Sequence, residues 1–101
     1  MHKMVVLYPA PTDPEHFREY YVSTHLPLVA KLPGILASRY SFDVSTAPGE
    51  TEYFAVFEAD FADAAALGAA MSSPEGKAVG ADVANYATGG RVILNYPVTA
   101  S

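Results

Sequence analysis

The chain has 101 residues, enough for one hydrophobic core, so we expect residues 1–101 to form a single domain. Half of the residues are hydrophobic and 17% are charged, which excludes the composition of a disordered chain. Six Lys and Arg stand against 11 Asp and Glu, and this net charge of −5 without a basic stripe argues against nucleic acid as a partner. The sequence contains no cysteine, which excludes disulfides, iron–sulfur clusters and a thiol nucleophile.

Membrane association is not expected either. No run approaches the ~18 apolar residues of a membrane span, and the first residues show no cleavage-site pattern. We therefore expect a soluble, cytoplasmic protein.

The first predicted elements are a strand and a long helix. Residues 4–8 form a short apolar run that favours a strand, and Pro9 closes it. Asp13 and Pro14 predict a helix start, because Asp is a good N-cap and Pro suits the first helical position. We expect this helix to end at the Leu-Pro-Gly sequence of residues 32–34. Its buried stripe has a spacing of three or four residues and contains Phe17, Tyr21, His25, Leu28, Val29 and Leu32.

The rest of the chain predicts a hairpin, more helix and a last strand. Residues 35–44 alternate as in a half-buried strand, and a turn at residues 47–49 joins them to a third strand at residues 52–59. Asp60 is expected to cap an alanine-rich helix that runs through Met71. A weaker helical stretch follows from Ser73 to about Tyr86, and residues 91–98 form the last strand.

This order of elements, βαββαβ, predicts an α+β ferredoxin-like fold: a four-stranded antiparallel sheet with its helices on one face. The chain offers no layer to cover the other face. The simplest cover is the same face of a second copy, so we expect a homodimer. Depending on the strand register, the uncovered face would carry part of the set Val6, Tyr8, Tyr40, Phe42, Phe54, Val56, Ile93 and Tyr96.

His25 is the first candidate catalytic residue. It lies on the buried stripe two residues before Pro27, which has no N–H and disfavours helical geometry at Leu26, so the helix should kink or restart there. The break would turn His25 toward the sheet, where a neutral imidazole could act as a general base. The alternative is a core histidine bonded to Tyr21 or to a backbone carbonyl.

No metal site is expected. His16 and His25 are nine residues apart, half a turn out of phase on a helix, so they cannot share one face. The other histidine, His2, offers no ligand spacing with them.

Tyr40 is the second candidate, because a tyrosine hydroxyl within a strand could donate a hydrogen bond to a developing enolate or alkoxide. The alternative is simple packing. Asp60 and Asp63 are interpreted as helix-start residues rather than paired catalytic carboxylates. No nucleotide-binding or nucleophile-elbow motif is present, so no cofactor is expected. We expect the substrate to contact Tyr8, Tyr21, Phe42 and Tyr96.

Several short motifs together resemble the EthD family. They are Tyr-Pro at residues 8–9, Asp-Pro-Glu-His-Phe at 13–17, Tyr-Tyr at 20–21, His-Leu-Pro-Leu at 25–28 and Leu-Pro-Gly at 32–34. The resemblance implies a dimeric α+β barrel of two ferredoxin-like subunits. The family is named for a protein of ethyl tert-butyl ether degradation, and its members are often labelled oxidoreductases. A related cofactor-free enzyme, methylmuconolactone methylisomerase, is similar in using a histidine and a tyrosine at the positions of His25 and Tyr40, although its further histidine near the third strand has no counterpart here.

Two functions follow as hypotheses. The first is a cofactor-independent enzyme acting on a small apolar carbonyl, lactone or aromatic compound, with His25 as base or acid and Tyr40 polarising an oxygen. The second is a non-catalytic dimeric barrel that binds a small apolar molecule or assists a partner oxygenase. A relationship to cofactor-free monooxygenase barrels has no specific support in the sequence.

Overall fold

Four strands form one antiparallel sheet in a computed structural model of the chain, which describes residues 1–47, 49 and 51–101. The strands are β1 (His2–Pro9), β2 (Ala37–Ser41), β3 (Tyr53–Phe61) and β4 (Val92–Pro97), in the spatial order β2-β3-β1-β4. This is the predicted ferredoxin-like arrangement, with β2 and β4 at the two edges. The predicted turn at residues 47–49 includes Pro48, which lies outside the described residues.

The first helical segment is interrupted as predicted. Helix α1 (Pro14–Tyr20) begins at Asp13, whose carboxylate accepts a hydrogen bond from the His16 amide at 3.1 Å. A π-helical turn (Tyr21–His25) and helix α2 (Leu26–Val29) follow, and the Leu26 amide donates to the carbonyl of Tyr21, five residues back. The turn is widened because a proline at position 27 has no N–H to give and its ring crowds the preceding turn of a regular α-helix.

The second helical segment begins later than predicted. It contains helix α3 (Ala64–Ser72), helix α4 (Pro74–Asp82) and a 3₁₀ turn (Val83–Asn85). Asp63 is the N-cap of α3 and accepts a hydrogen bond from the Ala66 amide at 2.8 Å. The prediction that Asp60 caps this helix is wrong, because Asp60 belongs to β3 and its carboxylate bonds Arg39 at 2.6 Å. Within the part of the chain that the structure describes, no helix is both long and apolar enough to cross a membrane.

The helices cover one face of the sheet, and the hydrophobic core lies between the helices and that face. Tyr40 is aligned with Phe57 and Ile93 with Val6, which places these edge residues on the helix side as well. The buried strand residues on this side include Met4, Val6, Tyr8, Ala55, Phe57 and Ala59.

The opposite side of the sheet, which we call the open face, combines an apolar strip with four paired charges. Of the residues predicted as alternatives for this face, Val56 and Tyr96 lie on it, and the others face the helices. Leu94 and Tyr96 are 46% and 44% exposed. The open face consists of Val5, Leu7, Val56, Val92, Leu94, Tyr96 and the charged residues Lys3, Arg39, Glu58 and Asp60.

Helix α4 packs tightly on the end of α3 at one glycine. A Cβ built on Gly76 would lie 2.7 Å from the Cα of Met71 and would also meet the carbonyl oxygen of Ala70, both backbone atoms. We expect Gly76→Ala to lower the free energy of unfolding by about 1–3 kcal/mol, because the backbone must move to admit the methyl group. Gly80→Ala on the same helix is the matched control: nothing lies within 4 Å of its added Cβ, and we expect a gain of about 0.5–1 kcal/mol. Equal urea midpoints for the two variants would contradict this packing.

Candidate functional site

The π-helical turn places His25 inside the protein, against aromatic rings. Its side chain is almost fully buried, and its ring stacks on Tyr21 with centroids 5.3 Å apart. The Tyr86 ring lies 4.6 Å away on a tilted plane. The predicted burial of His25 beyond Tyr21 is therefore confirmed.

Asp82 is the hydrogen-bond partner of His25. Its Oδ2 lies 2.9 Å from Nδ1 of the imidazole. Its Oδ1 accepts hydrogen bonds from the Tyr20 hydroxyl at 2.5 Å and from Nδ2 of Asn85 at 3.0 Å. Tyr20 and Asn85 thus hold the carboxylate in the orientation in which it can bond the imidazole.

These contacts define the protonation of the pair. Burial raises the pKa of Asp82, but the hydrogen bonds from Tyr20, His25 and Asn85 outweigh it, so the net pKa of this carboxyl is lowered and it is ionised near neutral pH. Burial lowers the pKa of His25, against the opposing effect of Asp82, so the imidazole is neutral. Because a carboxylate can only accept, Nδ1 of His25 carries the proton and Nε2 carries the lone pair.

Sequence reasoning missed Asp82. The two partners are 57 residues apart in the chain, and their contact depends on how α4 packs against the π-helical turn. One local signal was present: Asp82 ends helix α4, where the helix dipole disfavours a carboxylate. A carboxylate at that end needs hydrogen-bond donors from outside the helix, and Tyr20, His25 and Asn85 provide them.

A cavity opens beside His25, between the sheet and helix α4. The volume available to the centre of a water molecule is about 40 Å³, and the empty space in and above it, open solvent included, is about 440 Å³. The two exposed residues of its lining, Arg91 and Ile93, mark its mouth at β4. The other lining residues are mainly apolar: Met4, Val6, Tyr8, Tyr21, Val29, Leu32, Phe57, Met71, Val79, Gly80 and Val83.

Nε2 of His25 has no hydrogen-bond partner among the residues that the structure describes. Since Nδ1 is held by Asp82, which does not line the cavity, the ring edge that carries Nε2 is the one available to a molecule in the cavity. The site therefore offers a proton acceptor in an apolar chamber.

Besides Arg91 at the mouth, tyrosine hydroxyls supply the other polar groups near the cavity. The hydroxyls of Tyr8 and Tyr86 are 2.8 Å apart, and Tyr8 packs edge-on against Tyr21 with centroids at 5.6 Å. Burial raises the pKa of all three phenols. They are neutral hydrogen-bond donors and not bases at physiological pH.

The residues predicted from sequence separate into three groups. Tyr8 and Tyr21 line the cavity together with His25. Tyr40 and Phe42 lie on the same side of the sheet but outside the lining. Tyr40 is 43% exposed, and both rings pack against Tyr21 with centroids 5.9 Å away. Tyr96 is on the open face, aligned with Lys3, so the prediction that it joins this site is wrong; the strand register decides it.

The side chains of the site include groups that can exchange protons. Across the described ranges, 1–47, 49 and 51–101, no group of three or more His, Cys, Asp or Glu residues is placed to hold a metal ion. The site combines a buried carboxylate, an oriented imidazole and neutral phenols, which are the groups used in general acid–base catalysis.

Comparison with known proteins identifies relatives over nearly the whole chain. The model of the EthD domain matches residues 9–90. A Rhodococcus erythropolis protein, described as an uncharacterized 11.0 kDa protein in the thcB-thcC intergenic region, is 35% identical over 94 residues, or 93% of this chain and 91% of its own. The crystal structure of an ethyl tert-butyl ether D (EthD) family protein from Bacillus halodurans C-125 superposes with a TM-score of 0.89 at 31% identity, covering 98% of this chain and 99% of the other.

More distant structures share the fold alone. A dimeric ferredoxin-like protein of unknown function from Thermobifida fusca YX has a TM-score of 0.73 at 19% identity, covering 96% of this chain and 90% of its own. SnoaB of Streptomyces nogalater, a cofactor-independent oxygenase, has a TM-score of 0.69 at 13% identity, with 99% and 94% coverage.

Proposed function

Because the chain belongs to the EthD family, we propose that it is a cofactor-independent enzyme that moves a proton on a small, mostly apolar carbonyl, lactone or aromatic compound. The observation that carries this proposal is the imidazole of His25, which lines an apolar cavity while its Nδ1 is fixed by Asp82, so that Nε2 is left for a bound molecule. A neutral imidazole in that orientation is a competent general base.

The proposed step conserves atoms and electrons within the substrate and the enzyme. Nε2 of His25 takes a proton from a carbon next to a carbonyl group; the electron pair of the broken C–H bond forms a C=C bond, and the π pair of the carbonyl group moves onto its oxygen. Asp82 stabilises the imidazolium that forms, and Tyr8 and Tyr21 are the nearest neutral donors for the oxyanion. Return of the proton to another atom of the substrate completes an isomerisation.

Tyr40 takes a different place in this proposal from the one first expected. The hydroxyl-bearing side chains of the cavity wall are Tyr8 and Tyr21, whereas Tyr40 contacts Tyr21 from outside. We assign Tyr40 the role of holding the Tyr21 ring and assign oxyanion stabilisation to the two lining tyrosines.

Non-catalytic binding is the second candidate, and the apolar lining of the cavity favours it equally. In that case the protein would hold a small apolar metabolite beside an oxygenase, as the family's link with ether degradation suggests. The two candidates share one site and differ in whether a product forms. The cofactor-independent oxygenase of the same fold supports only the general point that such a sheet can house chemistry without a cofactor.

The functional unit in this proposal is a homodimer that packs open face on open face. Val92, Leu94 and Tyr96 expose an apolar strip there, with exposed fractions of 39%, 46% and 44%. The neighbouring charges pair within the protomer, with Lys3 3.1 Å from Glu58, so a second copy meets no net charge. Proteins of the same fold are described as dimeric, which agrees with this arrangement.

A Gly80 series tests the cavity. Gly80 lines it, and a Cβ added there meets nothing within 4 Å, so we expect the backbone to tolerate a side chain and that of leucine to take up space in the cavity. A thermal-shift screen of small lactones, ketones and phenols should find compounds that stabilise the wild type by ~2.7 kcal/mol at a concentration of 100 Kd. We expect Gly80→Leu to lose at least tenfold in affinity for these compounds, and Gly80→Ala to retain most of it.

Product analysis on the compounds that bind separates the two candidate functions. New product in the presence of wild type supports the enzyme, and binding without product supports the binding module. Unchanged affinity in Gly80→Leu would show that ligands bind elsewhere and would remove the basis of both.

A further inference from the structure

Arg91 is a charged group in an otherwise mainly apolar cavity lining. It lies at the mouth, in the segment that leads into β4, while His25 lies in the buried wall. Most of the remaining lining is hydrocarbon, so a ligand in this space has one cationic contact available and an apolar environment for the rest of its surface.

Arg91 has no carboxylate within salt-bridge distance among the described residues. The contrast with Arg39 is informative, because Arg39 bonds both Glu58 and Asp60 at 3.3 and 2.6 Å. The chain has 11 acidic residues and a net charge of −5, yet none of the described acidic side chains pairs with the arginine at this cavity mouth.

The backbone leading to Arg91 is held in place. Gly90 has a φ of +83°, a conformation that glycine adopts readily and that turns the chain into β4. A Cβ on Gly89 would lie 2.7 Å from the carbonyl oxygen of Ala10, so this loop packs closely on the end of β1. The position of Arg91 is therefore set by the fold, as an anchoring group requires.

From this placement we propose that Arg91 anchors a carboxylate, so that the ligand is a small apolar monocarboxylic acid bound with its acid group at the mouth and its hydrocarbon part toward His25. This inference rests on the proposed function for the identity of the cavity as the substrate site. Guanidinium groups bind carboxylates through two parallel N–H donors, which would also orient the ligand.

The effect of Arg91 on neighbouring titratable groups provides a way to detect a bound carboxylate. The charge of Arg91 lowers the pKa of His25, in the same direction as the larger effect of burial, and it opposes the rise that burial causes in the pKa of Tyr8 and Tyr86. A carboxylate bound at Arg91 would offset this positive charge. The pKa of His25 should therefore be higher with a bound acid than with a bound neutral molecule of the same shape, which buries the ring equally but brings no negative charge.

The experiment compares matched acids and amides, benzoate with benzamide and hexanoate with hexanamide, on the intact protein at pH 7.5. We expect the wild type to bind at least one acid roughly ten- to a hundredfold more tightly than its amide. Arg91→Gln should remove this preference, because it should weaken binding of the acid far more than binding of the amide. Arg18→Gln, at an exposed arginine that lies over Phe54, should retain it.

The second readout is the titration of the His25 ring protons by NMR, which should show a higher pKa with bound benzoate than with bound benzamide. Equal affinity for acid and amide in the wild type, an acid preference that survives Arg91→Gln, or no binding of either acid at millimolar concentration would each overturn the proposal. An acid preference that depends on Arg91 in a protein that forms no product would uphold the anchor and count against the proposed enzyme, so the two can fail separately.

Discussion

Replacing His25 by Gln is expected to lower the turnover of any substrate found in the screen by roughly 10²–10⁴-fold, the usual contribution of a positioned general base. Gln keeps a polar side chain but has no basic nitrogen, so Nε2 is lost as the proton acceptor. Ligand affinity should change far less than turnover. The measurement is kcat and KM with product quantified, on a variant whose far-UV circular dichroism matches the wild type.

Asp82→Asn tests whether the carboxylate positions the imidazole. Asp82 raises the pKa of His25 by hydrogen bonding and by its charge, so removing that charge should move the acid limb of the pH–rate profile to lower pH while kcat falls. A purely structural role would lower the amount of folded protein and leave the profile of the folded fraction where it was. Full activity in His25→Gln, whatever Asp82→Asn does, would end the proposal that this histidine is the base.

The same histidine should make folding stability depend on pH. Its pKa is lowered in the folded protein from 6.5, so below pH 6.5 the unfolded chain binds a proton that the folded chain excludes. The contribution of His25 to the free energy of unfolding should therefore fall as the pH drops from 6.5 toward the lowered pKa, and level off below it. His25→Gln should lose this contribution, so in urea titrations its stability should depend less steeply on pH across that window than that of the wild type.

The start of the first helix and the break within it could be predicted from neighbouring residues alone. Asp13 and Pro14 begin α1, and the proline at position 27 forces the break that presents His25, because these effects depend on residues within one turn of each other. The boundary at Asp60 failed since the β-strand continues two residues further than its composition suggests, and a cross-strand pair with Arg39 holds it there.

Contacts between distant segments of the chain could not be predicted from the sequence. Asp82 reaches His25 only through the packing of α4 on the π-helical turn, and Arg91 reaches the cavity only because β4 is the neighbour of β1. Strand register likewise depends on the pairing of distant segments. Shifting β4 by one residue would move Ile93 to the open face and bring Tyr96 to the helix side. The candidate base was therefore accessible from local pattern, while its partner and the cavity mouth were properties of the assembled fold.

A charge placed in the open face should separate the protein into monomers. We expect Leu94→Lys to weaken self-association by roughly a hundredfold or more, since the lysine would be buried without a partner between two sheets. Val22→Lys is the matched control, because Val22 is 47% exposed against 46% for Leu94 but lies in the π-helical turn, away from the open face. Sedimentation equilibrium over nanomolar to micromolar concentration measures both dissociation constants.

If the protein is a dimer, its thermal stability should depend on protein concentration. If the second copy supplies the missing layer of a chain of 101 residues, the melting temperature of the wild type should rise with protein concentration, while that of Leu94→Lys should be lower and nearly independent of it. A wild type that is monomeric at micromolar concentration, or a Leu94→Lys variant that dimerises as the wild type does, would show that the open face is not the interface. A stable, active monomer at nanomolar concentration would show that the cavity functions without a partner.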